Sequence, residues 1–140
     1  MTKVFFYHNV QDRLGAACSL LAKLCAQKKE CTVFAPLPER YQTLDRLLWT
    51  HAPLSFLPHC DAHAALAAET PILLAQELTA PRQRQRLLNL DDAIPPNFMH
   101  FANVLELVSQ NEADRQHARQ RFRDYKARGC EIVSVDMAGR

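Results

Sequence analysis

The sequence predicts an α/β protein: an open, mainly parallel sheet with helices on both faces, in a single domain spanning residues 1–140. Three observations lead there. The first 35 residues read strand, helix, strand, and that crossover joins parallel neighbours. The apolar runs at 4–7, 31–35 and 72–75 scarcely alternate, as expected where a sheet is covered on both faces. The chain is 140 residues long, 48% hydrophobic and 23% charged, which fits one folded core rather than disorder or a fibre.

Val4-Phe5-Phe6-Tyr7 is a β-branched and aromatic run, expected as a buried first strand. Asp12 is placed to cap a helix in which Leu14, Ala17, Cys18, Leu21, Leu24 and Cys25 share a face, with Lys28 and Lys29 at its C-terminal end. Residues 31–35 read as a second strand. Pro38 suits the first turn of the next helix, whose Tyr41, Leu44, Leu47 and Leu48 lie on one side and which ends near Trp49. Leu54-Ser55-Phe56-Leu57 and Ile72-Leu73-Leu74-Ala75 are the next strand candidates, separated by an Ala-rich stretch at 62–68 with room for one or two helical turns. Arg86–Leu90 reads as a further strand, and Pro95-Pro96 breaks the chain after it. Periodicity leaves Phe101–Val108 open between helix and strand. Residues 112–128 form a helix stopped by Gly129, and Cys130–Val133 supplies a last strand.

The chemistry of catalysis is sparse. A sheet of this kind invites a nucleotide, but phosphate-binding turns need clustered glycines, and Gly15, Gly129 and Gly139 are scattered, so no phosphate-binding loop can be assembled. His59-Cys60-Asp61-Ala62-His63 has metal-ligand residue types without the spacing of a metal motif, and Asp91-Asp92 reads better as loop acids than as a magnesium site. Five cysteines without a Cys-x-x-Cys pair read as reduced thiols. Neither a cofactor nor a metal is expected. No signal peptide or membrane-spanning run is evident, so a cytoplasmic location is expected. A small nucleotide- or metal-dependent α/β enzyme with an unrecognised site is the alternative to a binding protein.

The chain carries only +2, yet residues 115–128 hold Arg115, Arg119, Arg121, Arg123, Lys126 and Arg128 against the single acid Asp124. On a helical wheel Arg115, Arg119, Phe122 and Lys126 form one face, with Arg123 at its margin. Ala118 and Tyr125 lie to another side and would hold the helix on the sheet. A solvated cationic face is the plain interpretation; the functional one is an acceptor for an acidic peptide, with arginines on its carboxylates and an apolar slot at Phe122. Direct nucleic-acid binding ranks lower, since one exposed aromatic makes a poor stacking platform.

Taken together, Val4–Tyr7, Leu44-Asp45-Arg46-Leu47-Leu48-Trp49, Ser55-Phe56-Leu57-Pro58-His59 and Ala118–Lys126 followed by Gly129 resemble the chi subunit of bacterial DNA polymerase III nearly end to end. That resemblance implies a Rossmann-like fold, a strand at Phe101–Val108, no catalysis, and two partners. One is the acidic C-terminal tail of single-stranded-DNA-binding protein; the other is the psi subunit of the clamp loader, so that DNA is contacted only indirectly. It implies that Arg115, Arg119 and Arg123 supply charge to the tail site, that Val108, Phe122 and Ile132 form its apolar slot with Lys126 at the rim, and that Trp49 and Phe56 face psi. The sequence departs from the family where Arg115 and Arg123 replace lysines and Phe122 replaces a tyrosine. The phenolic hydroxyl is thereby lost, while ring and charge remain.

Overall fold

The computed structural model describes residues 2–50, 58–62, 64, 70–78 and 85–138. Its elements in chain order are β1 (Lys3–Val10), α1 (Arg13–Ala26), β2 (Cys31–Phe34), α2 (Pro38–Trp49), β3 (His59–Asp61), β4 (Ile72–Ala75), β5 (Arg86–Asn89), β6 (Asn103–Ser109), α3 (Glu112–Ala127) and β7 (Glu131–Asp136), with a short 3-10 turn at Phe98–His100. The strands form one seven-stranded sheet in the order β3-β4-β2-β5-β6-β1-β7. Every pairing is parallel, so the sheet is wholly rather than mainly parallel.

Alternate residues of the same strands feed two separate cores, which places helices on both faces. Val33, Leu88, Leu105 and Leu107 pack with Ala17, Leu21, Leu44 and Leu48 of α1 and α2. Phe34, Leu87, Val104 and Val108 pack instead with Ala118 and Tyr125 of α3. The central strands β2 and β4 are buried at every position, as unalternating apolar runs require.

The helix ends follow the sequence. Asp12 caps α1 by accepting from the Gly15 amide at 2.8 Å, and Pro38 opens α2. Asn111 caps α3 through the Asp114 amide at 3.2 Å, and Gly129 closes it in the left-handed region at φ 79°. The ambiguous stretch before α3 is strand β6, fixed by pairing with both β1 and β5.

Three expectations need adjustment. β1 is longer than Val4–Tyr7 and is not fully buried: Val4 and Phe6 are enclosed, whereas Phe5 and Tyr7 on the opposite face are half-buried. β7 runs to Asp136 because β1 pairs with it as far as His8. The strand expected at Leu54–Leu57 lies outside the described residues, as does most of the Ala-rich stretch. β3 begins beyond that segment, at His59, held by its register with Ile72–Leu74.

Candidate functional site

Helix α3 sorts its side chains by position. Ala118, Arg121 and Tyr125 face inward and are buried. Arg115, Arg119, Phe122 and Arg123, with Ala118 at the base, line a groove along the flank of the helix, whose floor is Phe6, His8 and Asn9 of β1, Val108 of β6 and Ser134 of β7, enclosing about 590 Å³. No acidic side chain lines it.

The groove has a built shape. β1 and β6 slip register between His8 and Val10, and Asn9 at that bulge adopts a left-handed φ of 67°, a conformation asparagine tolerates better than most residues. Its side chain donates to Asp136 Oδ1 at 2.9 Å and accepts from Arg115 Nη2 at 3.0 Å, so the bulge fixes one guanidinium of the wall. Phe122 packs against Phe6 at 5.5 Å between ring centroids, and Phe6 meets Tyr125 edge-on at 5.9 Å.

The cationic wall keeps its charge available. Arg115 is held by neutral Asn9, and Arg123 donates to Gln120 Oε1 at 2.8 Å. Arg119 meets Glu112 at 3.2 Å, but their side chains are 57% and 64% exposed, where such a pair is weak and exchangeable. Two of the expected site residues stand apart. Lys126 is exposed beyond the groove lining, and Ile132 packs half-buried against the core that also holds Phe122.

Arg121, counted in the basic run of residues 115–128, takes no part in the outward cationic face. Arg121 and Glu106 are both fully buried and meet at 3.0 Å. Glu106 also accepts from the Tyr125 hydroxyl at 2.6 Å and from Asn89 Nδ2 at 2.8 Å. Arg13 Nη2 lies 3.8 Å from it. Burial, then the Glu106 charge and its hydrogen bond, push the Tyr125 hydroxyl well above the usual tyrosine range. Position 121 falls beside 118 and 125 on the wheel, and that was the available signal. A charged side chain on the anchoring stripe needs a buried partner, and Glu106 sits in the middle of the otherwise apolar run Val104–Val108.

The remaining candidates fall into other settings. Trp49 at the end of α2 is 55% exposed, its ring 5.3 Å from that of His59. Phe56 and His63 lie outside the described residues. His59 Nε2 is 2.8 Å from Asp45 Oδ1, and the Tyr41 hydroxyl donates to Asp61 Oδ2 at 2.5 Å, so these ligand-type residues turn to different partners. Burial, then the Asp61 hydrogen bond, raises Tyr41. Asp92 is taken up by Arg40 at 2.9 Å, with Arg13 at 3.6 Å. Among the described residues no three histidines, cysteines or acids are grouped to hold a metal ion. No helix among them is long and apolar enough to cross a membrane.

Comparison with known proteins supplies the context. The family model described as "DNA polymerase III chi subunit, HolC" matches residues 1–133. Pseudomonas aeruginosa DNA polymerase III subunit chi is 32% identical over 133 residues, covering 92% of each chain. The Haemophilus influenzae protein of the same name is 27% identical over 86% of this chain and 85% of its own. That of Escherichia coli is 23% identical over 86% of each.

Proposed function

The chain belongs to the DNA polymerase III chi-subunit family, and from that premise we propose that it is a non-catalytic adaptor that captures the acidic C-terminal tail of single-stranded-DNA-binding protein on α3. Its role is in DNA replication. The observation that carries the reading is the α3 groove: three arginines without a buried counter-charge stand over an aromatic floor of Phe6 and Phe122. Tail carboxylates accept charge-assisted hydrogen bonds from Arg119 and Arg123, while Arg115, oriented by Asn9, closes one end. A terminal apolar side chain of the tail rests between Phe122 and Val108, and Lys126 and Ile132 contribute at the margin.

Residues 1–140 act as one domain in this reading, in the cytoplasm, and reach DNA only through the captured protein. The second attachment is to the psi subunit through Trp49 and Phe56. Trp49 supports it as a large aromatic left more than half exposed, the kind of side chain that anchors interfaces.

Titration of the whole chain with a synthetic acidic tail peptide, followed by fluorescence anisotropy at low and high salt, tests the groove. Saturable binding that weakens with salt and with Arg119→Ala is expected. If Arg46→Ala, on the exposed side of α2, loses as much affinity, the attraction is diffuse and the groove is not the site.

A further inference from the structure

Both faces of β1 carry aromatic residues, but α3 covers only one. On the opposite face the registers align Leu105, Phe5 and Val133 in one row and Leu107, Tyr7 and Val135 in the next. The β6 residues of those rows are buried with α1 and α2. Phe5, Tyr7, Val133 and Val135 are half-buried, and Phe5 and Tyr7 line a groove of about 1020 Å³ between α1 and Met137, just past the end of β7. A parallel strand is ordinarily covered on both sides. Among the described residues α1 and α2 cover this face only in part over β1 and β7: Phe5 and Tyr7 pack at the margin of their core and stay half-buried.

The rim of the groove indicates what fits. Lys23, Lys29 and Arg86 line it, and its one acidic side chain, Asp12, is already bonded to the Gly15 amide. Lys23 and Lys29 have no acidic partner among the described residues. The edge strand argues against a second copy of the chain. Antiparallel pairing of β7 with itself about Val133 and Ser134 would set Glu131 opposite Asp136, twice, and like charges directly opposite oppose pairing.

We propose that this face receives an amphipathic helix of a partner protein, lying beside α1, with its apolar stripe on Phe5, Tyr7, Leu20 and Met137 and acidic residues flanking that stripe toward Lys23 and Lys29. The helix adds a third member to the α1–α2 layer, at the usual separation of roughly 8 to 10 Å from α1. The site is on the opposite face of the sheet from the α3 groove and does not depend on what that groove binds.

The test uses the whole chain with isotopic labelling and two synthetic helical peptides that share a leucine stripe, one flanked by glutamates and one by lysines. The glutamate peptide should shift the resonances of Phe5, Tyr7 and Met137 rather than those of Arg119 and Phe122, and bind about tenfold or more tightly than the lysine peptide. Lys23→Glu, on the exposed side of α1, should remove that preference without altering the fold, and Leu20→Glu should abolish binding. Equal binding of both peptides, shifts confined to α3, or no shift at all overturns the proposal. So does a concentration-dependent dimer, seen by sedimentation and lost in Leu20→Glu, because a second copy would then cover the face.

Discussion

Arg119 and Arg121 stand two residues apart on α3 and differ in almost everything that matters physically. Arg119 projects into solvent beside the groove, with an exposed glutamate as its neighbour. Arg121 is enclosed by the sheet, where it meets a glutamate that is itself fully buried. Water screens the first pair, so removing either partner leaves the other solvated. Nothing screens the second, and removing one partner strands a charge in the core. One helix thus carries a buried, structural arginine and a solvated one to which the proposed function gives the recognition role, and position on the wheel separates them where residue type does not.

The sharpest way to break this contrast is Arg121→Ala. It should cost about 3 to 5 kcal/mol, because Glu106 would keep only Tyr125, Asn89 and the more distant Arg13. Urea denaturation at an unchanged slope measures the loss. Arg121→Met combined with Glu106→Leu should recover most of it, since replacing both charges by apolar groups of similar size removes the desolvation cost. A loss below about 1 kcal/mol in the single variant would mean that Arg121 is no more structural than a surface cation.

Arg119→Ala is the complement. Stability should stay within about 0.5 kcal/mol of the parent, whereas affinity for the acidic tail peptide should fall by about 1.5 to 3 kcal/mol. Equal loss in both measurements would dissolve the distinction between the two arginines. Phe122→Ala lies between them, since its ring packs on Phe6 and also lines the groove. It should cost about 1 to 2 kcal/mol of stability and weaken tail binding while leaving the salt dependence intact, because packing is removed and charge is not.

The same contrast separates what the sequence reveals from what it conceals. Runs whose every residue is buried, such as those of β2 and β4, need no partner to be recognised, and caps such as Asp12 and Asn111 act over three residues. The outward stripe of α3 is equally local, so Arg115, Arg119, Phe122 and Arg123 come together on one wheel. Long-range pairing leaves weaker traces. β3 is three half-buried residues, His59, Cys60 and Asp61, held extended by Ile72–Leu74, and no strand propensity in the segment announces it. The buried Arg121–Glu106 pair joins residues 15 positions apart on different elements, and the bulge at Asn9 that positions Arg115 requires β6 as a partner. The partial cover of Phe5 and Tyr7 was hidden for the same reason: an unalternating run promises two covered faces, and only strand order reveals that α1 lies to one side of β1 among the described residues.

The smallest expected effect belongs to Asp92, which bridges the two environments at the mouth of the buried network. Its side chain is 36% exposed, and its carboxylate meets Arg40 at 2.9 Å with Arg13 and His117 farther off. Partial burial pushes its pKa up, but the hydrogen bond and charge of Arg40, with smaller contributions from His117 and Arg13, outweigh this and leave it below the ordinary carboxylate value. A carboxylate depressed in the folded state contributes stability that is fully present above its unfolded pKa, about 3.9, and is lost as pH falls through the lower folded value. Asp92→Asn should therefore be less stable than the parent at pH 7 by under about 1 kcal/mol, given solvent screening, and the difference should close as the pH drops below about 4. Added salt at pH 7 should shrink it as well, which it should not do for Arg121→Ala. If the Asn variant keeps its full deficit at pH 3, the contribution of Asp92 comes from hydrogen-bond geometry rather than charge, and it belongs with the buried pair rather than the solvated one.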